Sequence, residues 1–196
     1  LQVRLVKGAY WDTEIKHAQV EGLEGYPVYT RKVNSDLSYI TCAQKMLNNG
    51  DVFYPMFATH NAHTIAAILD IAKDTNTDYE FQRLHGMGER LHDIVIRDTG
   101  GRCRIYAPVG ANRDLLAYLV RRLLENGANS SFVHQIVDED VSPEDIARDP
   151  FDMLAQAKPP ALLVHPDRIF GEDRKNSKGF DLSDEGTLAR IETARD

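Results

Sequence analysis

The sequence predicts an α/β domain whose strands run parallel. Over the first 127 residues, four short runs rich in β-branched and aromatic residues alternate with segments of helical apolar spacing. Glycine, proline and asparagine separate them. A helix after each strand carries the chain back to the end where that strand began, so successive strands point the same way.

The first run, Leu1 to Lys7, reads L-Q-V-R-L-V-K and stops at Gly8, the pattern of a strand ending in a turn. Asp12 is expected to cap a helix over 13–20, with Glu14 in its first turn. Gly22, Gly25 and Pro27 mark a loop. Asn34 or Ser35 is expected to cap the next helix, which runs to about Leu47 and is ended by Asn48-Asn49-Gly50. Tyr54 to Ala58 reads as a short buried strand. Asn61 caps a helix over 62–72 with Ile65, Ile68, Leu69 and Ala72 on one face. Tyr79 to Leu84 is the third strand, and Gly86-Met87-Gly88 turns into a helix ending near Arg97. Cys103 to Ala107 is the fourth strand, closed by Pro108 and Gly110; a strong helix runs from Leu115 to Leu124 and stops at Asn126-Gly127. An open doubly wound sheet and a barrel both fit this order. In either, ligands collect at the C-terminal ends of the strands.

The texture changes at about Asp138. Ser142-Pro143-Glu144-Asp145 begins a short amphipathic helix, Lys158-Pro159-Pro160 breaks the chain, and 182–191 is expected to form a last helix. Residues 1–137 are therefore expected to form the strand-bearing domain and 138–196 a connector with helical pieces. With 42% apolar and 27% charged residues, the 196-residue chain has the composition of a soluble globular protein. A net charge of -7 argues against a general nucleic-acid binder. No apolar run approaches the roughly 20 residues that span a bilayer, and Leu1 to Val6 is too short and too charged for a signal peptide. The chain opens inside a strand without a methionine, so further sequence is expected upstream. Cys42 and Cys103 lie far apart and read as reduced thiols of a cytosolic protein.

The residues just after each strand are chemically richer than those of a plain turn. The clusters are Lys7-Gly8-Ala9-Tyr10-Trp11, Thr59-His60-Asn61, His85-Gly86-Met87-Gly88-Glu89 and Tyr106-Ala107-Pro108-Val109-Gly110. Parallel strands bring all four to one end. Glycines admit close backbone approach, Lys, His and helix N-termini suit phosphate, and Trp11 and Tyr106 can flank a flat ring. Each feature alone has a plain structural explanation as turn, core residue or cap; the case rests on four clusters falling in phase.

Arg121-Arg122-x-x-Glu125 adds a second feature. Arg121 and Arg122 stand four and three residues before Glu125, within ion-pair reach on a helix. Such a group is either a solvated surface pair or a carboxylate clamp, since the guanidinium fork fits a carboxylate. The apolar residues Leu115, Leu116, Leu119, Val120, Leu123 and Leu124 nearly surround this helix, which favours the clamp. Arg4, mid-strand, needs a partner if it faces inward; outward, it would meet a helix carboxylate. His60-x-x-His63 lacks neighbouring carboxylate or thiol ligands and is not read as a zinc site. Gly86-x-Gly88 does not complete a dinucleotide fingerprint.

These segments resemble the proline dehydrogenase domain of bifunctional proline-utilisation flavoproteins. Arg4-Leu5-Val6-Lys7-Gly8-Ala9-Tyr10-Trp11-Asp12 resembles that family's fifth-strand motif, Phe57-Ala58-Thr59-His60-Asn61 the sixth, Tyr79-Glu80-Phe81-Gln82 with Leu84-His85-Gly86-Met87-Gly88-Glu89 the seventh, and Tyr106-Ala107-Pro108-Val109-Gly110 the eighth. Leu119 to Phe132 resembles the final helix and the turn after it. The resemblance implies a (βα)8 TIM-type barrel of which this chain supplies strands five to eight. It implies FAD as cofactor and oxidation of L-proline to Δ1-pyrroline-5-carboxylate by hydride transfer from C5 to flavin N5. By the same resemblance Arg121 and Arg122 grip the proline carboxylate and Tyr106 packs on its ring. Arg4 sits beside the reactive edge of the flavin. Val6, Lys7, Gly8, Ala9 and Trp11 line the cofactor; Thr30, Lys32, Thr59, His60 and Asn61 reach its pyrophosphate and adenosine; Gln82 and Leu84 lie near the ring; Glu125 holds Arg122 and the ribityl region. Electrons would pass to membrane quinone, which implies a cytoplasmic protein peripherally associated with the membrane.

Residues from about 160 on resemble the segment that links the barrel to an aldehyde dehydrogenase module, itself absent here. The oligomeric state stays open, a homodimer included. Arg83 departs from the small or apolar residue usual in these relatives, and either shifts the pocket or points outward. Strands one to four, with an active-site Lys and Asp, are missing, so the chain alone is expected to be inactive. Two rival readings stand beside this one. A flavin barrel of the methylenetetrahydrofolate reductase type fits Arg121-Arg122 less well than a small carboxylate does, and a non-catalytic fragment would lack flavin.

Overall fold

The computed structural model describes residues 1–8, 10–127, 135, 138–156 and 163–195; the side chains of 123–127 lie outside that description. Among the described residues, β1 (Gln2–Leu5), β2 (Tyr54–Ala58), β3 (Glu80–Leu84) and β4 (Cys103–Tyr106) form one sheet in the spatial order β1-β2-β3-β4. All three pairings are parallel, with Arg4 opposite Met56, Phe57 opposite Phe81 and Leu84 opposite Tyr106. A doubly wound sheet reverses its strand order at a switch point. Strands that succeed each other in sequence order, joined by right-handed crossovers, place their helices on one face. The winding is therefore that of a barrel wall.

The helices between the strands are α1 (Trp11–Glu21) and α2 (Lys32–Leu47), then α3 (Ala62–Ala72) and α4 (Glu89–Thr99), and α5 (Asn112–Gly127) follows β4. Side chains alternate across a strand, and one set meets the helices. Phe57 and Phe81, fully buried, form the core with Tyr39, Ala43 and Leu47 of α2, Ile65 and Ile68 of α3 and Val95 of α4. Their rings pack tilted, with centroids 6.3 Å apart, and Tyr79 lies 5.8 Å from Phe57. Tyr39 Oη donates toward the carbonyls of Leu5 (3.3 Å) and Ala58 (3.4 Å), tying α2 to the ends of β1 and β2. Burial raises its phenol pKa, so it stays a donor.

Several helix starts differ from expectation for local reasons. Asp12 does not cap α1. The helix begins at Trp11 behind Tyr10, whose φ of 59° is left-handed, and Asp12 lies in the first turn, where the helix dipole favours its charge. Asn34 and Ser35 lie inside α2, which begins at Lys32. The polar start of α5, Asn112-Arg113-Asp114, carries no apolar period, so the helix opens earlier than the expected Leu115. Asn61 caps α3 as expected, its Oδ1 accepting from Thr64 N at 3.1 Å. No helix of the described residues is long and apolar enough to cross a membrane.

The chain groups into two compact units. One holds Leu1–Lys7 and Asp36–Ala155, including the sheet and the short helices α6 (Pro143–Ile146) and α7 (Pro150–Gln156), whose last residue belongs to the other unit. The other holds Gly8–Ser35 and Gln156–Asp196, with a 3-10 turn at Pro166–Arg168 and α8 (Glu185–Arg195). Within this second unit the polar stretch after Asp167 is fixed by hydrogen bonds rather than a core. Asn176 Nδ2 donates to Gln19 O (2.7 Å) and Pro166 O (3.1 Å), and Gly179 N donates to Gly22 O (3.0 Å). Glu24 receives Lys178 at 2.6 Å and Arg190 at 3.3 Å. A Cβ on Gly22 would run into the Ser177 carbonyl, and one on Gly179 into that of Glu21.

Phe57→Ala is expected to lower unfolding free energy by about 3–5 kcal/mol, read as a shifted urea midpoint at unchanged slope. Gly22→Ala, at a φ of 64° with no room for a methyl, is expected to cost more than about 1 kcal/mol. Limited proteolysis should then cut near Ser177 much faster than in the unaltered protein.

Candidate functional site

The other set of strand side chains mixes polar Arg4, Glu80, Gln82, Arg104 and Tyr106 with Met56, Ala58 and Leu84. Arg4 of β1 stacks on Tyr106 of β4, its guanidinium carbon 4.5 Å from the ring centroid. These are the outer strands of the sheet, and neighbouring strands lie about 4.8 Å apart, so about 14 Å of sheet separates them. The contact requires the sheet to curl toward this face, which is therefore concave. Burial raises the Tyr106 phenol pKa, while the positive charges of Arg4 and Arg122 oppose the rise. Arg122 in turn lies 5.2 Å from the Tyr118 ring centroid. Arg4, Tyr106, Tyr118 and Arg122 form one cationic and aromatic group.

The orientation of α5 supports this. Its apolar Leu116, Leu119 and Val120 are exposed, whereas Leu115, Tyr118, Arg121 and Arg122 are half-buried. The helix turns its two arginines away from solvent and leaves aliphatic residues out, the reverse of an ordinary surface helix. The Glu125 side chain lies outside the described residues.

Deeper on the same face stands Glu80 of β3, 4% exposed. Arg104 grips both its oxygens, at 2.6 and 2.9 Å, Tyr54 Oη donates to it at 3.2 Å, and Gln82 Nε2 donates at 2.8 Å. The Arg104 hydrogen bond is the main reason its carboxyl pKa is lowered. Sequence reasoning passed over Glu80 and Arg104. The alternation that puts Gln82 inward also puts Glu80 inward, and that signal was available.

At the end of β2, Thr59, His60 and Asn61 lie together. His60 Nε2 accepts from Leu84 N at 3.0 Å, which places the ring proton on Nδ1. Burial, then the nearby His92, Arg83 and Arg122, push the His60 pKa down to about 4. A Cβ on Gly88 would stand 3.0 Å from His60 Cδ2, so the turn before α4 packs directly on the imidazole. His92 of α4 is fully buried and its Nε2 meets Thr59 O at 3.0 Å; a carbonyl only accepts, so this nitrogen carries the proton. Cys103 Sγ lies 3.5 Å from His92 Nδ1. His92 also escaped sequence reasoning, since one histidine within a helix carries no pattern. Lys7 pairs with Asp36 and reaches Thr64 Oγ1 at 3.3 Å, and Val6 is 44% exposed. Arg83 points to the helix side, buried, with Glu89 at 3.3 Å. It does not line the concave face, and of its two expected placements the outward one is found.

The remaining expected site residues belong to the second unit. Gly8 has a φ of 80°. Trp11 Nε1 donates to Tyr29 O at 2.8 Å. Thr30 is half-buried and Lys32, exposed, opens α2. Ala9 lies outside the described residues. Tyr10, which sequence reasoning did not single out, holds a left-handed conformation that costs a non-glycine residue about 1 kcal/mol or more; strain of this kind is commonly kept at functional sites.

A family model described as proline dehydrogenase matches residues 1–135. The chain belongs to the proline dehydrogenase family. Relatives include the bifunctional protein PutA of Klebsiella aerogenes, 52% identical over 99% of this chain, and that of Rhizobium meliloti, 53% identical over 99%. The chain spans 16% of the length of each. Proline dehydrogenase 1 of Bacillus subtilis is 30% identical over 67% of the chain and 39% of its own length. Crystal structures of mutants of Bradyrhizobium japonicum proline utilization A superpose with a TM-score of 0.89 at 50% identity, covering 98% of this chain and 20% of theirs. The parallel sheet is thus matched to the barrel of that proline dehydrogenase region.

The proline dehydrogenase family is flavin-dependent, and this chain's residues fit such a group. The concave face offers cations and aromatic rings, and the neutral His60 offers a donor without charge. His60 must stay neutral in the fold yet titrates near 6.5 when unfolded. Its depressed pKa thus favours the fold fully above about 6.5 and progressively less as pH falls toward about 4. Urea midpoints should fall over that window, and His60→Gln should flatten the slope.

Proposed function

We propose that this chain supplies strands five to eight, with their helices, of a (βα)8 proline dehydrogenase barrel that uses FAD to oxidise L-proline to Δ1-pyrroline-5-carboxylate. The observation that carries the reading is the Arg4–Tyr106 contact across the concave face, in a chain whose first 135 residues match the proline dehydrogenase family. The chemistry supplied by bound FAD is acceptance, at N5, of a hydride from proline C5.

The chain's own residues supply position and charge. Arg121 and Arg122 present two guanidinium forks for the substrate carboxylate. Tyr106, held under Arg4, offers its ring to the pyrrolidine. Arg4 keeps positive charge beside the flavin's reactive edge, where electron density arrives. By the family resemblance Val6, Lys7, Gly8, Ala9 and Trp11 would line the cofactor, Gln82 and Leu84 would serve its ring, and Thr30, Lys32, Thr59, His60 and Asn61 would serve the pyrophosphate and adenosine. By the same resemblance Glu125 would hold Arg122. Catalysis is then mainly fixed geometry.

By the family resemblance residues 138–196 would connect the barrel toward an aldehyde dehydrogenase module. Membrane quinone would take the electrons from a cytoplasmic, peripherally bound protein. The outer edges of β1 and β4 await partner strands, so the 196-residue chain by itself should not oxidise proline.

The test is the visible spectrum of the full-length protein before and after anaerobic L-proline. A flavin spectrum that bleaches is expected. A flavin that stays oxidised would reject the substrate, and no flavin would reject the reading altogether. Arg121→Met and Arg122→Met should each raise KM for proline by about 100-fold, given the 2–5 kcal/mol typical of a truncated, buried charge pair. Flavin content should stay unchanged in Arg121→Met.

A further inference from the structure

The flavin reading leaves the Glu80 network without a role, and its hydrogen bonds have a direction. Glu80 is buried, ionised and held by both nitrogen arms of Arg104 at 2.6 and 2.9 Å. An ionised carboxylate only accepts hydrogen bonds. The Gln82 carboxamide, 2.8 Å away, must therefore give it the NH2 group. A flip would set the amide oxygen against a carboxylate oxygen in a buried site, a repulsive contact that also strands a donor. The trigonal amide then sends Oε1 away from Glu80. Among the described residues no donor reaches Gln82 Oε1. Gln82 is itself 5% exposed.

We propose that Glu80, fixed by Arg104, is a positioning residue that locks the Gln82 carboxamide so that its oxygen accepts a hydrogen bond from a ring N–H of the bound flavin. The inference rests on the flavin reading above. An oxidised isoalloxazine ring has acceptors at most of its polar edge and one N–H, at N3; reduction adds another at N5. A locked acceptor therefore selects N3–H in both redox states, or N5–H in the reduced state alone. Arg104 balances the Glu80 charge, so the device sets hydrogen-bond polarity without adding net charge beside the ring.

Apoprotein of the full-length enzyme, reloaded with FAD or with N3-methyl-FAD, separates the two. If N3–H is the partner, the methylated cofactor should bind the unaltered protein about tenfold more weakly, the worth of one hydrogen bond. In Glu80→Gln, whose amide lets Gln82 turn either way, that ratio should fall to within about twofold. If N5–H is the partner, Glu80→Gln should instead weaken hold on reduced flavin about tenfold, lowering the two-electron potential by about 30 mV. Gln82→Met must reproduce whichever loss is seen while leaving Glu80 with Arg104 and Tyr54, which guards against a misfolded first variant. A purely structural Glu80 would lower the melting temperature and leave both readouts untouched. Unchanged ratio and potential in both variants would overturn the proposal while flavin binding stands. Failure of the unaltered protein to take up FAD would overturn the flavin reading, and this inference with it.

Discussion

The whole arrangement depends on the two-residue alternation of the inner strands β2 and β3. Phe57 and Phe81 go to the helices, and Met56, Glu80 and Gln82 go to the concave side. A slip of one residue in β3 would drive Glu80 toward the aromatic core and turn Phe81 out of it, and the same slip in β2 would turn Phe57 out. Burial of the two rings therefore fixes more than stability. It decides which residues can meet a ligand, and how far along the strand each one stands.

Curl of the sheet is the second condition. A flat wall would keep Arg4 and Tyr106 on separate strands with no means of contact. Bent, it gathers their charge and ring, and the partly sheltered arginine side of α5 adds to the same group. The titratable groups on this side are then held in definite states. His60 is kept neutral by burial and by surrounding positive charge, and Glu80 is kept ionised by Arg104. A site assembled this way has little freedom to rearrange its protons when a ligand arrives.

Much of this was legible beforehand. The strands at 54–58 and 80–84 and the Asn61 cap come from local rules of alternation and side-chain capping, and the Arg pair and strand-end clusters stood out by residue type. Helix starts were harder. Tyr10 begins α1 through a left-handed backbone that no residue preference announces, and Lys32 and Asn112 open helices with polar turns that resemble loop. Partners chosen by three-dimensional proximity were least legible: His92 under Thr59, and Arg104 on Glu80, join residues distant in sequence. Glu80 could have been found from its phase with Gln82. Arg104, on the next strand, needed the register.

The facing glycines of the second unit bear on how this gene could be cut or recombined. Gly22 and Gly179 bring two backbone segments together that are far apart in the chain, with Asn176 and Glu24 sealing the junction. The helix after β1 and the tail therefore belong to a single unit, though the rest of the sheet is translated between them. A chimera that exchanged only the tail would pair foreign side chains with a glycine seam that tolerates no methyl group. Exchanging 8–35 and 156–195 as a set would keep the seam intact.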